Sequence, residues 1–256
     1  MTRLMTLAYG ALSYLVFLAV FLYSIGFVGD FIVPRTVDHG VSASLTEALV
    51  VNLLLLALFA VQHSVMARPG FKRWWTRAVP RPVERSTYVL IASLVLALLF
   101  WQWRTIPATV WDVGWQPGRV LLWMLFAAGW VTVLVSTFLI NHFDLFGLRQ
   151  VYLAWRGDPY TGLGFSTSVF YRVVRHPIML GFIVAFWAIP TMTAGHLLFA
   201  VATTGYILVA LRLEERDLVA ELGDQYRDYR TRVPMLVPGL HRRRNGRVSG
   251  TAPRPA

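Results

Sequence analysis

The chain has 256 residues, of which 56% are apolar and 14% charged, against about 25% charged in a soluble globular domain. It contains no cysteine, which excludes disulfides, thiolate metal sites and cysteine nucleophiles. The formal net charge of +11 raises the question of nucleic acid, but the basic residues fall in loops between apolar stretches, so they report membrane topology and the chain reads as an integral membrane protein.

Taken in chain order, four stretches have the length and apolar content of a membrane span, roughly 17 to 25 residues: Thr6–Val28, Leu45–Met66, Thr87–Trp103 and Val120–Ile140. The opening stretch from Leu4 to Val28 is too long and too weakly basic for a cleaved signal peptide, and is expected to be retained. Ser86 is a competent N-cap for the third span. A fifth apolar region, Pro177–Leu211, is too long for one span and is broken by Pro190 and Gly195, which predicts a helical hairpin whose short first arm, Pro177–Ile189, is re-entrant or tilted. The second arm is expected to continue beyond the bilayer through Glu214, Glu215 and Leu218 to Leu222, with Gly223 as its stop.

Short cytoplasmic loops are enriched in Lys and Arg. The second loop carries Arg68, Lys72, Arg73, Arg77, Arg81 and Arg85, and the fourth carries Arg149, Arg156, Arg172 and Arg175, whereas the first offers only Arg35 and the third Arg104, with Arg119 at its edge. The second and fourth loops and the C-terminus are therefore expected on the cytoplasmic side. One domain spans residues 1–240, and residues 241–256 read as a basic, disordered tail at the membrane surface.

With that orientation, three of the six histidines fall at the inner end of the bundle: His63, His142 and His176. Ionisable groups in or beside spans often mark functional cavities, although each can also serve as an interfacial residue bonded to loop backbone. Arg175-His176-Pro177 opens the hairpin with Pro at a first helical position. The free N–H groups and positive dipole end of such a helix start suit a carboxylate. Gly181, one turn deeper, leaves room for a ligand or for close helix packing. At helical spacing Arg212 and Glu215 share a face, either as a solvated ion pair or as a site where a carboxylate binds ribose hydroxyls or an ammonium and an arginine binds a carboxylate. S-adenosylmethionine carries all three groups. Tyr226, Tyr229 and the strip from Arg232 to Pro238 either fold over a planar adenine or cover helix ends.

The ordered set Arg175-His176-Pro177, Gly181, a hairpin, Glu214-Glu215, Leu218, Gly223, Tyr226, Tyr229, Pro234 and Pro238 resembles the C-terminal half of the isoprenylcysteine carboxyl methyltransferase and phospholipid methyltransferase superfamily. Upstream, Gln62-His63-Ser64, Glu84-Arg85-Ser86 with Tyr88, and the run from His142 to Gln150 resemble its methanethiol S-methyltransferase branch, so the resemblance covers most of the chain. It implies an all-α membrane fold of about five transmembrane elements, the last a helical hairpin, with a cytosolic C-terminal helix and tail. It further implies S-adenosylmethionine in a cytosol-facing pocket, with Arg175, His176, Pro177, Gly181, Arg212, Glu214, Glu215, Tyr226 and Tyr229 around it. The implied reaction is methyl transfer to methanethiol, giving dimethyl sulfide and S-adenosylhomocysteine. Relatives often carry an arginine a full turn before the acidic pair and a tyrosine two residues after His-Pro, whereas here Ala210 and Leu211 stand ahead of Arg212, and Met179 replaces the tyrosine.

A thiol reacts as its thiolate, and a simple alkyl thiol is mostly protonated at neutral pH, so a base or a positively charged pocket is expected to help. His142 is the first candidate for that base, with His63, Arg85 or Tyr88 as partners and Asp144 orienting a histidine. The partners are thus a small thiol and the lipid bilayer, with no nucleic acid, and the sequence leaves the oligomeric state open. A lipid or another small thiol is an alternative acceptor, and a haem-binding electron-transfer protein using two of His63, His142 and His176 is an alternative of another class.

Overall fold

The computed structural model describes residues 2–162 and 169–239; the expected tail at 241–256 lies outside the described residues. Helix α1, Arg3–Gly29, begins where the Thr2 hydroxyl accepts the Met5 N–H and ends as Asp30 turns left-handed at φ 58°. Helix α2, Leu45–Ala67, is capped by the Ser44 hydroxyl on the Glu47 N–H. A short helix α3, Pro69–Trp75, leads into α4, Arg81–Gln102, and then α5, Gln116–Ile140. Two short helices follow, α6 His142–Leu145 and α7 Leu148–Arg156. After a 3₁₀ turn at Val169–Arg172 come α8, Pro177–Trp187, α9, Ala194–Leu222, and α10, Asp224–Arg232.

Five of these helices, α1, α2, α4, α5 and α9, are long and apolar enough to cross a membrane. The expectation of an all-helical membrane fold with about five spanning elements is thereby met. Their outward faces carry exposed Leu12, Leu22, Leu54, Val131 and Phe138, a burden of apolar surface that suits lipid and not water. The hairpin is present, with α8 as its short first arm, but Gly195 does not break it: the residue lies in the first turn of α9, and the arms are separated by the stretch around Pro190 and strand-forming Thr191–Thr193. Helix α8 has 11 residues, about 16 Å at 1.5 Å per residue, or half of a ~30 Å hydrocarbon layer. Helix α9 has 29, about 43 Å, so one end must project beyond the bilayer.

Two boundaries differ from the sequence reading. Helix α4 begins at Arg81, not at Thr87, because Pro82 in its first turn presets the helical backbone. Ser86 is consequently no N-cap; it is fully buried inside α4 and donates to the Gly147 carbonyl at 3.3 Å. Helix α5 likewise starts four residues early, at Gln116, with Pro117 in its first turn.

One end of the bundle is tied by backbone pairing. Strand β1, Val41–Ser42, pairs in parallel with β2, Arg104–Thr105, and β3, Thr109–Asp112, pairs antiparallel with β4, Thr191–Thr193. Buried Asn52 donates to the Arg104 carbonyl at 2.7 Å and accepts the Arg104 N–H at 2.9 Å, so a polar side chain in a span is satisfied on both counts. Phe27, Leu99, Phe100, Trp103, Trp130 and Phe199 form the core beneath. Midway, α5 and α8 meet backbone to backbone: a Cβ added at Gly129 or at Gly181 would lie 2.7 Å from the other glycine's carbonyl oxygen.

Candidate active site at the charged end of the bundle

At the opposite end the projecting part of α9 converges with α3, the first turn of α4, α6, α7, the start of α8, and α10. They enclose a cavity of about 1160 Å³. On α9 the residues Glu214, Leu218 and Glu221 recur at helical spacing and face this cavity.

Glu215, on the adjacent face, is only 6% exposed and holds the site together. Its Oε1 accepts Arg175 Nε and Nη2, each at 2.6 Å, and lies 3.3 Å from His176 Nε2, while its Oε2 faces Arg230 Nε at 3.4 Å. Arg175 in turn donates from Nη1 to the carbonyls of Val233 at 2.6 Å and Arg230 at 3.1 Å. The backbone N–H groups of Arg175 and His176 donate to Pro234 and Met235 carbonyls at 2.9 and 3.2 Å. One buried carboxylate thus fixes the start of α8, the end of α10 and the strip after it. The strip packs Met235 and Leu236 against Met179, Leu180, Ile207 and Leu211, so it covers helix faces.

Glu214 is left to the cavity. Its side chain is 50% exposed, and His176 Nδ1 lies 3.9 Å from its Oε2. Beside it stands Tyr171, whose hydroxyl is raised in pKa by burial and then by the negative charge of Glu214. Among the described residues that buried hydroxyl has no hydrogen-bond partner, and neither does Gln150 Oε1 on the same wall. Buried polar atoms without partners are uncommon in folded proteins, and here two of them line one cavity. Tyr226 and Tyr229 also line it, packed on Leu218, Val219 and Leu222, with the Tyr229 hydroxyl donating to the Tyr171 carbonyl. The first turn of α8 has no side-chain cap, and Ile178 and Met179 of that turn reach the wall.

Several sequence candidates are placed elsewhere. Pro177 and Gly181 are buried off the wall, and Gly181 serves helix packing against Gly129. Arg212 does not pair with Glu215, whose carboxylate is taken by Arg175, His176 and Arg230; it lines a separate groove of about 230 Å³ with Arg216 and Arg230. His142 is also off the wall. Its Nε2 meets the Tyr14 hydroxyl and its Nδ1 the Thr137 hydroxyl, each at 2.8 Å, and Phe138 stacks on the ring at 4.2 Å. Burial lowers its pKa, favouring the neutral ring. His63, Arg85 and Tyr88 form a different group: Tyr88 hydroxyl lies 2.9 Å from His63 Nε2, and the Arg85 guanidinium lies 5.1 Å from the Tyr88 ring centre. Asp144 orients no histidine; it pairs with Arg149 at 3.1 Å and accepts the Tyr160 hydroxyl at 3.2 Å. Of these, Arg85 and Asp144 line the cavity, together with Lys72, Tyr160 and Tyr171, which the sequence reading did not single out for chemistry.

The residues present fit S-adenosylmethionine by donor set: acceptors at Glu214 and Gln150 for hydroxyls and ammonium, an uncapped helix start for a carboxylate, and buried tyrosines for a ring. For haem, by contrast, His63 and His142 are both off the cavity wall and already bonded to hydroxyls.

The NnrU protein family matches residues 51–222. A methanethiol S-methyltransferase of Mycobacterium tuberculosis is 70% identical, the match covering 94% of this chain and 99% of that protein. Methanethiol S-methyltransferase 2 of Bradyrhizobium diazoefficiens is 57% identical over 94% of this chain and 93% of its own, and Nurim of Mus musculus is 30% identical over 68% and 70%. No solved structure matches. With a family match across most of the spanning helices and relatives at this identity over nearly their full length, the chain belongs to the methanethiol S-methyltransferase family, within the isoprenylcysteine carboxyl methyltransferase-like membrane superfamily.

Proposed function

We propose that this protein transfers a methyl group from S-adenosylmethionine to methanethiol, releasing dimethyl sulfide, from the cytoplasmic side of a bacterial inner membrane. The observation that carries the reading is the division of labour within the acidic pair: Glu215 is consumed by the Arg175 knot, while Glu214 stays half-exposed in the cavity beside Tyr171 and the start of α8. The relatives' names support the acceptor, and the excess of Lys and Arg at this end supports the cytoplasmic orientation.

When bound, S-adenosylmethionine supplies an electrophilic methyl group on a positively charged sulfur, so no covalent enzyme intermediate is needed. The chain's own residues position and shield. Glu214 and Gln150 Oε1 would accept hydrogen bonds from the methyl donor's hydroxyls or ammonium, the first turn of α8 would hold its carboxylate, and Tyr171, Tyr226 and Tyr229 would flank its ring. Holding donor and thiol in line removes much of the entropic part of the barrier, and the apolar wall of Ile140, Ile178 and Met179 suits a small, lipid-soluble thiol.

The test is to supply membranes containing the protein with methyl-labelled S-adenosylmethionine, with and without methanethiol. Label in a volatile product that requires methanethiol is the expected result. Label recovered in the lipid fraction whether or not methanethiol is added would replace the thiol by a lipid acceptor.

A further inference from the structure

Besides the exposed Arg81, the cavity wall holds two partly buried cations that make no ion pair among the described residues. Lys72, on α3, and Arg85, in the first turn of α4, both line it, and among the described residues neither lies within ion-pair distance of an acidic group. Arg85 is held in place by donating Nε to the Leu145 carbonyl at 2.7 Å and by lying over the Tyr88 ring, whose hydroxyl is tied to His63. Lys72 is half-buried, in a short helix that packs Phe71 and Trp75 against Met66 and Tyr88. The charged groups that face Lys72 are Glu84 and Arg85 from α4 and Glu221 from α9; after burial, the like charge of Arg85 acts on it more strongly than either carboxylate, and its pKa is lowered. Glu84 and Glu221, neither within ion-pair distance, offset the repulsion between these two cations only in part, so a small anion seated between them would be favoured.

We propose that Lys72 and Arg85 form the binding site for the acceptor as its thiolate. This rests on the methyltransferase reading above, and it assigns to fixed positive charge the task that a histidine base would otherwise perform. A simple alkyl thiol is mostly protonated at neutral pH, and opposite charge favours the ionised form. The S–H bond breaks with its electron pair left on sulfur, and the proton leaves to water past the exposed rim residues Arg81 and Asp158. That electron pair then forms the new bond to the methyl carbon as the bond from methyl to the sulfonium breaks, and the departing sulfur keeps those electrons as a neutral thioether. Arg175 is already committed, since each of its three guanidinium nitrogens is engaged by Glu215, Arg230 or Val233 and its charge is paired with Glu215.

The experiment uses the full chain in detergent or nanodiscs, with methanethiol as the probe. Calorimetric titration in two buffers of different ionisation enthalpy reads the protons released per thiol bound. Wild type is expected to release close to one proton at neutral pH. Lys72→Met is expected to release fewer, to bind about tenfold more weakly, as for one pKa unit, and to move the rise of its turnover to higher pH. Lys72→Arg keeps the charge and should restore proton release, which a merely structural or proton-accepting Lys72 would not allow. Affinity for S-adenosylmethionine, measured separately, should stay within about twofold of wild type. Unchanged proton release in Lys72→Met overturns the site, as does a loss confined to S-adenosylmethionine affinity, which would make Lys72 a carboxylate ligand of the donor. Proton release that persists in a wild type transferring no methyl would instead sink the methyltransferase reading and leave the thiolate site standing.

Discussion

Neighbouring residues in the acidic pair illustrate how a helix sorts identical chemistry into different roles. One step along α9 turns the side chain by about 100°, so Glu214 faces the cavity and Glu215 the interior. The sequence showed the pair and its place on the helix, but not the partner: Arg212 is close in sequence, whereas Arg175 is 40 residues away and wins because the hairpin brings it against α9. Glu215→Gln should therefore act on the fold, lowering stability by about 3–5 kcal/mol because Arg175 is left buried and unpaired, seen as a reduced melting temperature in detergent. Glu214→Gln should leave the melting temperature in place and weaken S-adenosylmethionine binding by about 1.5–3 kcal/mol if it loses a charged hydrogen bond, seen by equilibrium dialysis. His142 makes a third case. Its folded pKa is depressed by burial, so the unfolded chain binds a proton more readily, and stability falls as pH drops below its unfolded pKa of about 6.5 and is retained above it. His142→Gln should flatten that acid-side loss in melting curves, and the acid limb of turnover should remain where it is in the wild type.

At the scale of elements, apolar length and the Pro and Gly interruptions were enough to place the spans, the hairpin with its short first arm, and the stop at Gly223, where φ is +59°. What they hid was the start of α4. Arg85 is a candidate from sequence, but Lys72 looks there like a loop charge alone; only the short helix α3 and the early start of α4 carry Lys72, Glu84 and Arg85 onto one cavity wall. Gly181 shows the same limit: a glycine one turn into a candidate site fits both a ligand and a helix contact, and only the facing Gly129 decides between them. Gly181→Ala should cost about 1–3 kcal/mol through forced separation of α5 and α8, because its Cβ would lie 2.7 Å from a backbone oxygen that cannot swing aside. Thermal unfolding of that variant in nanodiscs checks it.

As a whole molecule, the bundle has one end tied by short strands and buried Asn52, and another where charged helices project to enclose a cavity. Because the natural chain has no cysteine, single replacements report sidedness cleanly. Arg77→Cys should react with a membrane-impermeant thiol reagent only when the cytoplasmic face is accessible, and Trp115→Cys only from the other face; the reverse pattern would invert the topology and move the cavity outside. The most direct test of the central claim is headspace gas chromatography for dimethyl sulfide over membranes given methanethiol and S-adenosylmethionine together and each alone. Product is expected only when both are present, and is expected to collapse in Glu214→Gln protein that inserts and melts like the wild type. Equal product from that variant, or dimethyl sulfide formed without S-adenosylmethionine, would contradict that claim.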